Sequence, residues 1–138
     1  MPKYDSRGFI SALDKNEVFV FGSNGDGMHG AGAAKTALEK FGAKWGQGEG
    51  LQGQSYAIDT MSGEVEMYLQ IDRFKRFAFN HPELTFYVTE IGCGIAGYTP
   101  EQVGLAFVES PRNIVLPDSF KMVADEALAS RREQKNIF

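Results

Sequence analysis

An uneven distribution of glycine is the feature of this sequence that most limits its possible folds. Sixteen of the 138 residues are glycine, and ten of these lie between Gly22 and Gly53. Three more lie between Gly92 and Gly97. Glycine in a helix interior costs about 1 kcal/mol relative to alanine, so this pattern excludes a plain helical bundle. It predicts loops in which the backbone closely approaches another group.

The segments around these glycines predict strands that alternate with helices. Short apolar or β-branched runs predict strands at residues 18–21, 55–59, 85–88 and 113–116. Apolar spacing, composition and capping signals predict helices at residues 31–40, 64–80, 100–108 and 118–132. This alternation indicates an α/β fold with a mixed, largely parallel sheet between helices on both faces. The length predicts a single domain, residues 1–138.

Composition narrows the class of protein further. No apolar stretch approaches the roughly 18 residues of a transmembrane helix, and the N-terminal sequence lacks the apolar core of a secretion signal. The single cysteine and two distant histidines argue against a disulfide or a structural zinc site. We therefore expect a cytoplasmic protein without a membrane partner, a metal or another cofactor. The formal net charge of −4 argues against strong non-specific nucleic-acid binding.

The first glycine-rich segment, residues 22–34, passes from a predicted strand end into a predicted helix start. In α/β sheets, ligands bind outside the carboxyl ends of the strands. The unpaired N–H groups of a helix start suit a phosphate, so backbone groups are the expected holders of an anion here. The segment has neither the Rossmann fingerprint nor the G-K-[ST] of a P-loop. A purely structural strand-to-helix turn is the alternative.

Two other segments share this glycine-rich character. Residues 46–55 form a short loop that Trp45 and Leu51 can anchor, with a flexible linker as the alternative. Residues 91–100 again pass from strand to helix, and their successive N–H groups can surround an anion. Tyr98 would pack on a sugar or a base. Cys93 is either a nucleophile whose pKa is lowered by helix dipoles or a small buried residue in a tight loop.

The first and third glycine-rich segments resemble the ligand loops of the macro domains, which bind ADP-ribose and related metabolites. Residues 18–24 resemble the family's strand that ends in an asparagine at the distal ribose, here Asn24. Gly30-Ala31-Gly32 resembles its glycine loop, and Gly92-Cys93-Gly94-Ile95-Ala96-Gly97-Tyr98 resembles its second phosphate loop, which is the most specific match. The sequence also resembles short bacterial and phage members. Its loops are similar to those of terminal ADP-ribose glycohydrolases.

The resemblance, which spans residues 18–116, implies a three-layer α/β/α sandwich that binds ADP-ribose or a related NAD-derived nucleotide. Such a ligand would be free or attached to an ADP-ribosylated macromolecule, in the cytoplasm of a bacterium or a phage-infected host. The expected ligand contacts come from the three glycine-rich segments: Gly22, Ser23, Asn24, Gly30, Ala31, Gly32, Ala33, Gly50, Leu51, Gly92, Cys93, Gly94, Ile95, Ala96, Gly97 and Tyr98.

The catalytic residues of the hydrolytic branches of this family are not matched. The catalytic Asp of the mono-ADP-ribosyl hydrolases falls on Ala34. The catalytic Lys of the terminal glycohydrolases falls on Leu38, and their second-loop Asp falls on Ala96. The family's early Asp at the adenine is not recognisable, although Asp5 or Asp14 can be considered. The resemblance therefore carries over phosphate binding and not catalysis.

An enzyme of the same fold is the alternative to a binding module. It would remove ADP-ribose from a macromolecule or dephosphorylate ADP-ribose 1″-phosphate, with His29 and Glu49 as candidate catalytic residues. His29 directly precedes the glycine loop, where it can act as a general base or orient a water, and Glu49 can reach the same cavity. A packed His29 and a solvated Glu49 form the competing interpretation, and Asp26 and Asp59 are weaker candidates. A third interpretation is an interaction protein without a pocket.

Overall fold

The computed structural model describes residues 3–5 and 7–137. Their elements in chain order are β1 (Glu17–Ser23), α1 (Gly32–Lys40), β2 (Gly50–Gln52), β3 (Ser55–Asp59), α2 (Glu64–Phe79), β4 (Thr85–Val88), α3 (Pro100–Gly104), a 3-10 helix (Leu105–Phe107), β5 (Ile114–Val115) and α4 (Asp118–Ile137). The predicted domain also includes residues 1, 2, 6 and 138, which lie outside the described residues.

The five strands form one sheet with β1 at its centre. Their order is β2-β3-β1-β4-β5. β1 pairs in parallel with β3 and β4, β4 pairs in parallel with β5, and β2 is antiparallel to β3. The prediction of a mixed, largely parallel sheet is therefore confirmed. Because the chain moves from β1 to one side and later returns to β4 on the other, the carboxyl ends of β1 and β4 border a crevice of the kind where α/β sheets bind ligands.

Alternating residues of β1 divide the apolar core between the two faces of the sheet. Phe19 and Phe21 pack on the α1 side, together with Ala34 and Ala37 of that helix. Val18 and Val20 belong to a larger cluster on the α2 side, to which α3, the 3-10 helix and α4 also contribute buried residues. Helices therefore cover both faces, and the predicted three-layer α/β/α arrangement is confirmed.

The main differences from the predicted elements are local. Residues 50–52 form a short edge strand, β2, where the sequence predicts only loop. Three residues offer no alternation to detect, and their strand conformation depends on pairing with β3. The predicted helix over 100–108 ends as an α-helix at Gly104 and continues as a 3-10 helix. α4 extends to Ile137, beyond the predicted end at residue 132.

Candidate functional site

A large open cavity lies beyond the carboxyl ends of β1, β3 and β4. Its volume is about 830 Å³, which is within the size range of ligand-binding clefts. Its walls come from the N-terminal segment, the β1–α1 connection and the residues that follow β3 and β4. The cavity brings together eleven of the predicted ligand residues: Gly22, Ser23, Asn24, Gly30, Ala31, Gly32, Ala33, Gly92, Gly94, Ile95 and Ala96.

The β1–α1 connection presents an open helix start to this cavity. Ala31 is the N-cap of α1 in an extended conformation, and no side chain caps the helix. The first N–H groups of α1 have no intrahelical acceptor, and the side chain of Ala31 has no oxygen with which to bind them. A Cβ added at Gly30 or Gly32 would meet no atom within 4 Å. A ligand can therefore approach this backbone closely.

The β4–α3 connection is built differently. Thr99 and Gln102 form the predicted capping box: Gln102 N donates to Thr99 Oγ1 at 3.2 Å, and Thr99 N donates to Gln102 Oε1 at 2.8 Å. Tyr98 packs against the α2-side core, and its backbone N donates to Gly92 O at 2.8 Å. Gly92, Gly94, Ile95 and Ala96 reach the cavity wall, whereas Cys93, Gly97 and Tyr98 are not among its lining residues.

The structure also bears on Cys93 as a nucleophile. Its side chain is half-buried and packs against the α2-side core. Burial, followed by the nearby carboxylates of Glu90 and Glu101, raises the pKa of the Cys93 thiol. This direction is opposite to the lowering predicted for a nucleophile and favours the alternative of a small packed residue.

The glycine-rich segment at residues 46–53 packs against the β1–α1 connection from outside the cavity. Gly46 N donates to Gly27 O at 2.8 Å. A Cβ added at Gly48 would lie 2.2 Å from Asn24 O, so only glycine permits this approach. Gly50 and Leu51 belong to β2 and do not line the cavity. Their predicted contact with a ligand therefore gains no support from their position.

Glu49 faces α2 and not the cavity. Arg73 Nε donates to its Oε2 at 2.8 Å, and Arg73 Nη2 donates to its Oε1 at 3.1 Å. The hydrogen bond to Glu49 raises the pKa of the Arg73 guanidinium. The predicted convergence of Glu49 with His29 at the cavity does not occur, because a long-range ion pair holds the carboxylate elsewhere.

His29 is fully buried, with neither ring nitrogen free. Its Nδ1 lies 2.7 Å from Ser23 Oγ, and its Nε2 lies 3.2 Å from Gln52 Oε1. The ring meets Phe21 edge-on at a centroid distance of 5.1 Å. His29 itself does not line the cavity, but Ser23 does. Any contribution of His29 to chemistry there must therefore pass through Ser23.

The carboxylates considered at the sequence level have different positions. Asp5 is on the cavity wall, and its Oδ1 accepts from Arg7 N at 2.8 Å and Phe9 N at 3.0 Å. The Arg7 guanidinium, with these backbone bonds, lowers the pKa of Asp5.

The other three carboxylates, those of Asp14, Asp26 and Asp59, are not on the cavity wall. Asp59 is buried, and its Oδ1 accepts from Met61 N at 2.9 Å.

Sequence reasoning missed several residues of the wall. Arg7 and Phe9 reach it from the N-terminal segment, and the Arg7 guanidinium lies 4.9 Å from the centre of the Phe9 ring. Thr60 and Thr89 follow β3 and β4 directly. Their position after a strand end was a usable signal, whereas nothing in the local sequence connects Arg7 or Phe9 with the sheet edge.

Asn24 reaches the wall at the end of β1 with its side chain already engaged. Its Oδ1 accepts from Met28 N and its Nδ2 donates to Met28 O, each at 3.0 Å. These two bonds close the turn that leads to Gly30. One N–H of the amide stays available for the ribose contact that the resemblance implies.

No further finding identifies the family or the function of this chain. In the described part of the chain, no cluster of three or more His, Cys, Asp or Glu side chains is arranged to hold a metal ion. Within those same residues, no helix is both long and apolar enough to cross a membrane. Searches against protein-family models, curated proteins and solved structures found no match for this chain.

Proposed function

We propose that this protein is a macro-domain-like module that binds ADP-ribose or a related NAD-derived nucleotide. One observation carries the proposal: the cavity at the strand ends is walled by glycine-rich backbone from two strand-to-helix connections. These are the same segments that carry the sequence resemblance. A nucleotide diphosphate needs donors that can approach it closely, and open backbone N–H groups supply them.

The position of the charges supports an anionic ligand held mainly by the backbone. Arg7 and Lys40 are the cations on the wall, and Asp5 and Glu90 are its acids. Asp5 is already engaged, since Arg7 Nη2 donates to its Oδ2 at 2.9 Å. The side chains alone thus supply little net positive charge, whereas the uncapped start of α1 adds a positive dipole end and free donors.

Isothermal titration of the protein with ADP-ribose tests the proposal. We expect saturable binding with one site per chain and weaker binding of adenosine, which lacks the diphosphate. In the variant Gly30→Val, the added side chain projects into open cavity space, so binding should fall at least tenfold, or about 1.4 kcal/mol. Ala129→Val is a control of similar size on the exposed surface of α4 and should bind as the wild type does.

Two results would contradict the proposal. One is the absence of heat at millimolar ADP-ribose with protein that is folded by circular dichroism. The other is binding that Gly30→Val leaves unchanged, which would put the nucleotide outside this cavity.

A further inference from the structure

A continuous buried chain of hydrogen bonds links Ser23 at the end of β1, His29 in the β1–α1 connection and Gln52 at the end of β2. Ser23 Oγ lies 2.7 Å from His29 Nδ1, and His29 Nε2 lies 3.2 Å from Gln52 Oε1. His29 is 0% exposed and Gln52 is 2% exposed. Ser23 alone of the three is a lining residue of the cavity. A hydroxyl, an imidazole and an orienting group are thus arranged in the order found in serine nucleophile sites.

The hydrogen bonds of Gln52 determine which nitrogen of His29 carries the proton. Gln52 Oε1 accepts from Lys44 N at 2.7 Å, and its Nε2 donates to Gln47 O at 3.1 Å and Gly50 O at 3.2 Å. The amide oxygen therefore faces His29, so Nε2 of the neutral ring must carry the hydrogen and donate it. Nδ1 is then an acceptor, and the Ser23 hydroxyl donates to it.

This arrangement places a base, His29, next to the hydroxyl of Ser23, and Ser23 is a residue of the cavity wall. A serine hydroxyl is a weak nucleophile until an adjacent base removes its proton. We propose that Ser23 is the nucleophile of an acyl-transfer site in which His29 is the general base and Gln52 is a positioning residue. The substrate class is a carboxylic ester small enough to enter the cavity. The proposal does not depend on nucleotide binding, although it uses the same cavity.

The reaction balances without any co-reactant other than water. Ser23 Oγ forms a bond to the acyl carbon while its proton passes to His29 Nδ1. The ester C–O bond then breaks, and the departing alkoxide takes that proton to leave as an alcohol. Water attacks the acyl-Ser23 ester, gives its proton to His29 Nδ1, and the carboxylic acid leaves as the Ser23 Oγ regains the proton.

Covalent labelling with a fluorophosphonate probe tests the nucleophile. Ser23 Oγ would bond to phosphorus, its proton would pass to His29, and fluoride would leave with the electron pair of the P–F bond. Peptide mass spectrometry should locate the label on Ser23. Ser23→Ala should abolish it, and His29→Gln, which keeps hydrogen-bonding groups but no base, should slow it at least about 100-fold. Ser130, on the exposed surface of α4, has no hydrogen bond to a histidine among the described residues, so Ser130→Ala should leave labelling of Ser23 unchanged.

A spectroscopic measurement tests the positioning role of Gln52. The chain has two histidines, so ¹⁵N-histidine spectra can be assigned with the variant His81→Gln. We expect His29 to show the tautomer protonated at Nε2. Gln52→Leu should shift His29 toward a mixture of tautomers, and it should slow labelling of Ser23 as well.

Failure of this proposal is distinguishable from failure of nucleotide binding. Folded wild-type protein that leaves Ser23 unlabelled, or that labels Ser130 and Ser23 equally, would overturn the nucleophile. Labelling that persists in His29→Gln would overturn the base. A wild-type His29 protonated at Nδ1 would overturn the arrangement of the three side chains. Titration with ADP-ribose is measured separately and is not decided by any of these results.

Discussion

The two strand-to-helix connections at the cavity look alike in sequence and differ in what their helix starts leave free. The connection to α1 has Ala31 at the N-cap and no side-chain cap. The connection to α3 has a complete capping box of Thr99 and Gln102. One helix start therefore keeps donors for a ligand, whereas the other satisfies them within the protein.

A second comparison, between two glycines, shows that glycine content alone does not identify a binding loop. Gly48 and Gly30 belong to equally glycine-rich segments, but a Cβ at Gly48 would lie 2.2 Å from Asn24 O and one at Gly30 would meet nothing within 4 Å. The first glycine serves packing between two segments of the protein. The second leaves space that only a ligand or water would occupy.

The largest expected effect comes from giving α1 the cap that it lacks. Ala31→Asp would place a carboxylate at the start of α1, where it should stabilise the fold by about 0.5–1 kcal/mol. The same carboxylate would compete for the free N–H groups and repel a diphosphate. We therefore expect ADP-ribose affinity to fall by roughly 10- to 100-fold, or about 1.4–2.7 kcal/mol, by titration calorimetry while urea unfolding shows a more stable protein.

Ala31→Asn shows how much of the lost affinity comes from competition for the free N–H groups of α1 and how much comes from repulsion between the carboxylate and the diphosphate. Asparagine caps a helix about as well as aspartate and carries no charge, so its stability gain should be similar and its loss of affinity smaller. If Ala31→Asp binds ADP-ribose as tightly as the wild type, the diphosphate does not lie at the start of α1.

The second helix start should respond in the opposite way. Thr99→Ala removes the side-chain acceptor that lies 3.2 Å from Gln102 N, and loss of such a cap costs about 1 kcal/mol. Urea unfolding should show this loss, whereas ADP-ribose affinity should stay unchanged. A Thr99→Ser variant, which keeps the hydroxyl, should restore most of the stability. Lost affinity in Thr99→Ala with Thr99→Ser unaffected would mean that this cap also positions the cavity wall.

The elements that sequence predicted well are those decided by local pattern. The strand at residues 55–59 has the predicted bounds, and α2 ends at Phe79, one residue from its predicted end. The capping box also consists of four consecutive residues, so the sequence predicts it directly. Contacts between distant segments could not be predicted from the sequence. The partners of Glu49 and His29, Arg73 and Gln52, lie 24 and 23 residues away.

The position of the cavity was predictable, but the detail of its wall was not. Both connections follow parallel strands, and such strand ends share one edge of the sheet. The N-terminal residues Arg7 and Phe9 reach that edge only through tertiary folding. β2 likewise forms because Gly50–Gln52 pairs with β3, which no periodicity within three residues can indicate.

A smaller effect tests whether Glu49 belongs with the cavity or with the packed segment. Its pair with Arg73 is partly exposed, at 36% and 42% of the two side chains, so solvent screens it and it should contribute less than about 1 kcal/mol. Glu49→Gln should lower the free energy of unfolding by no more than this amount, and the difference should shrink at high salt. Unchanged affinity for ADP-ribose would agree with the position of Glu49 against α2. A large loss of affinity would show that Glu49 contributes to the ligand site.

The smallest expected effect concerns the N-terminal segment of the cavity wall. Backbone N–H groups of this segment already donate to a side chain of the protein, as Gln102 N does at the start of α3. The Asp5 carboxylate accepts from Arg7 N and Phe9 N, and the Arg7 guanidinium, with these bonds, holds the pKa of Asp5 below its ordinary value of 3.8. A lowered folded-state pKa means that this contribution is fully present above the ordinary value and is lost as the pH falls through the lowered one. The Phe9 amide should therefore exchange its hydrogen faster in that acidic window than the ordinary pH dependence of amide exchange predicts, because the local structure opens more often. Asp5→Asn, which cannot ionise, should open to the same extent across the window; an identical pH response in both proteins would assign the loosening to another carboxyl group.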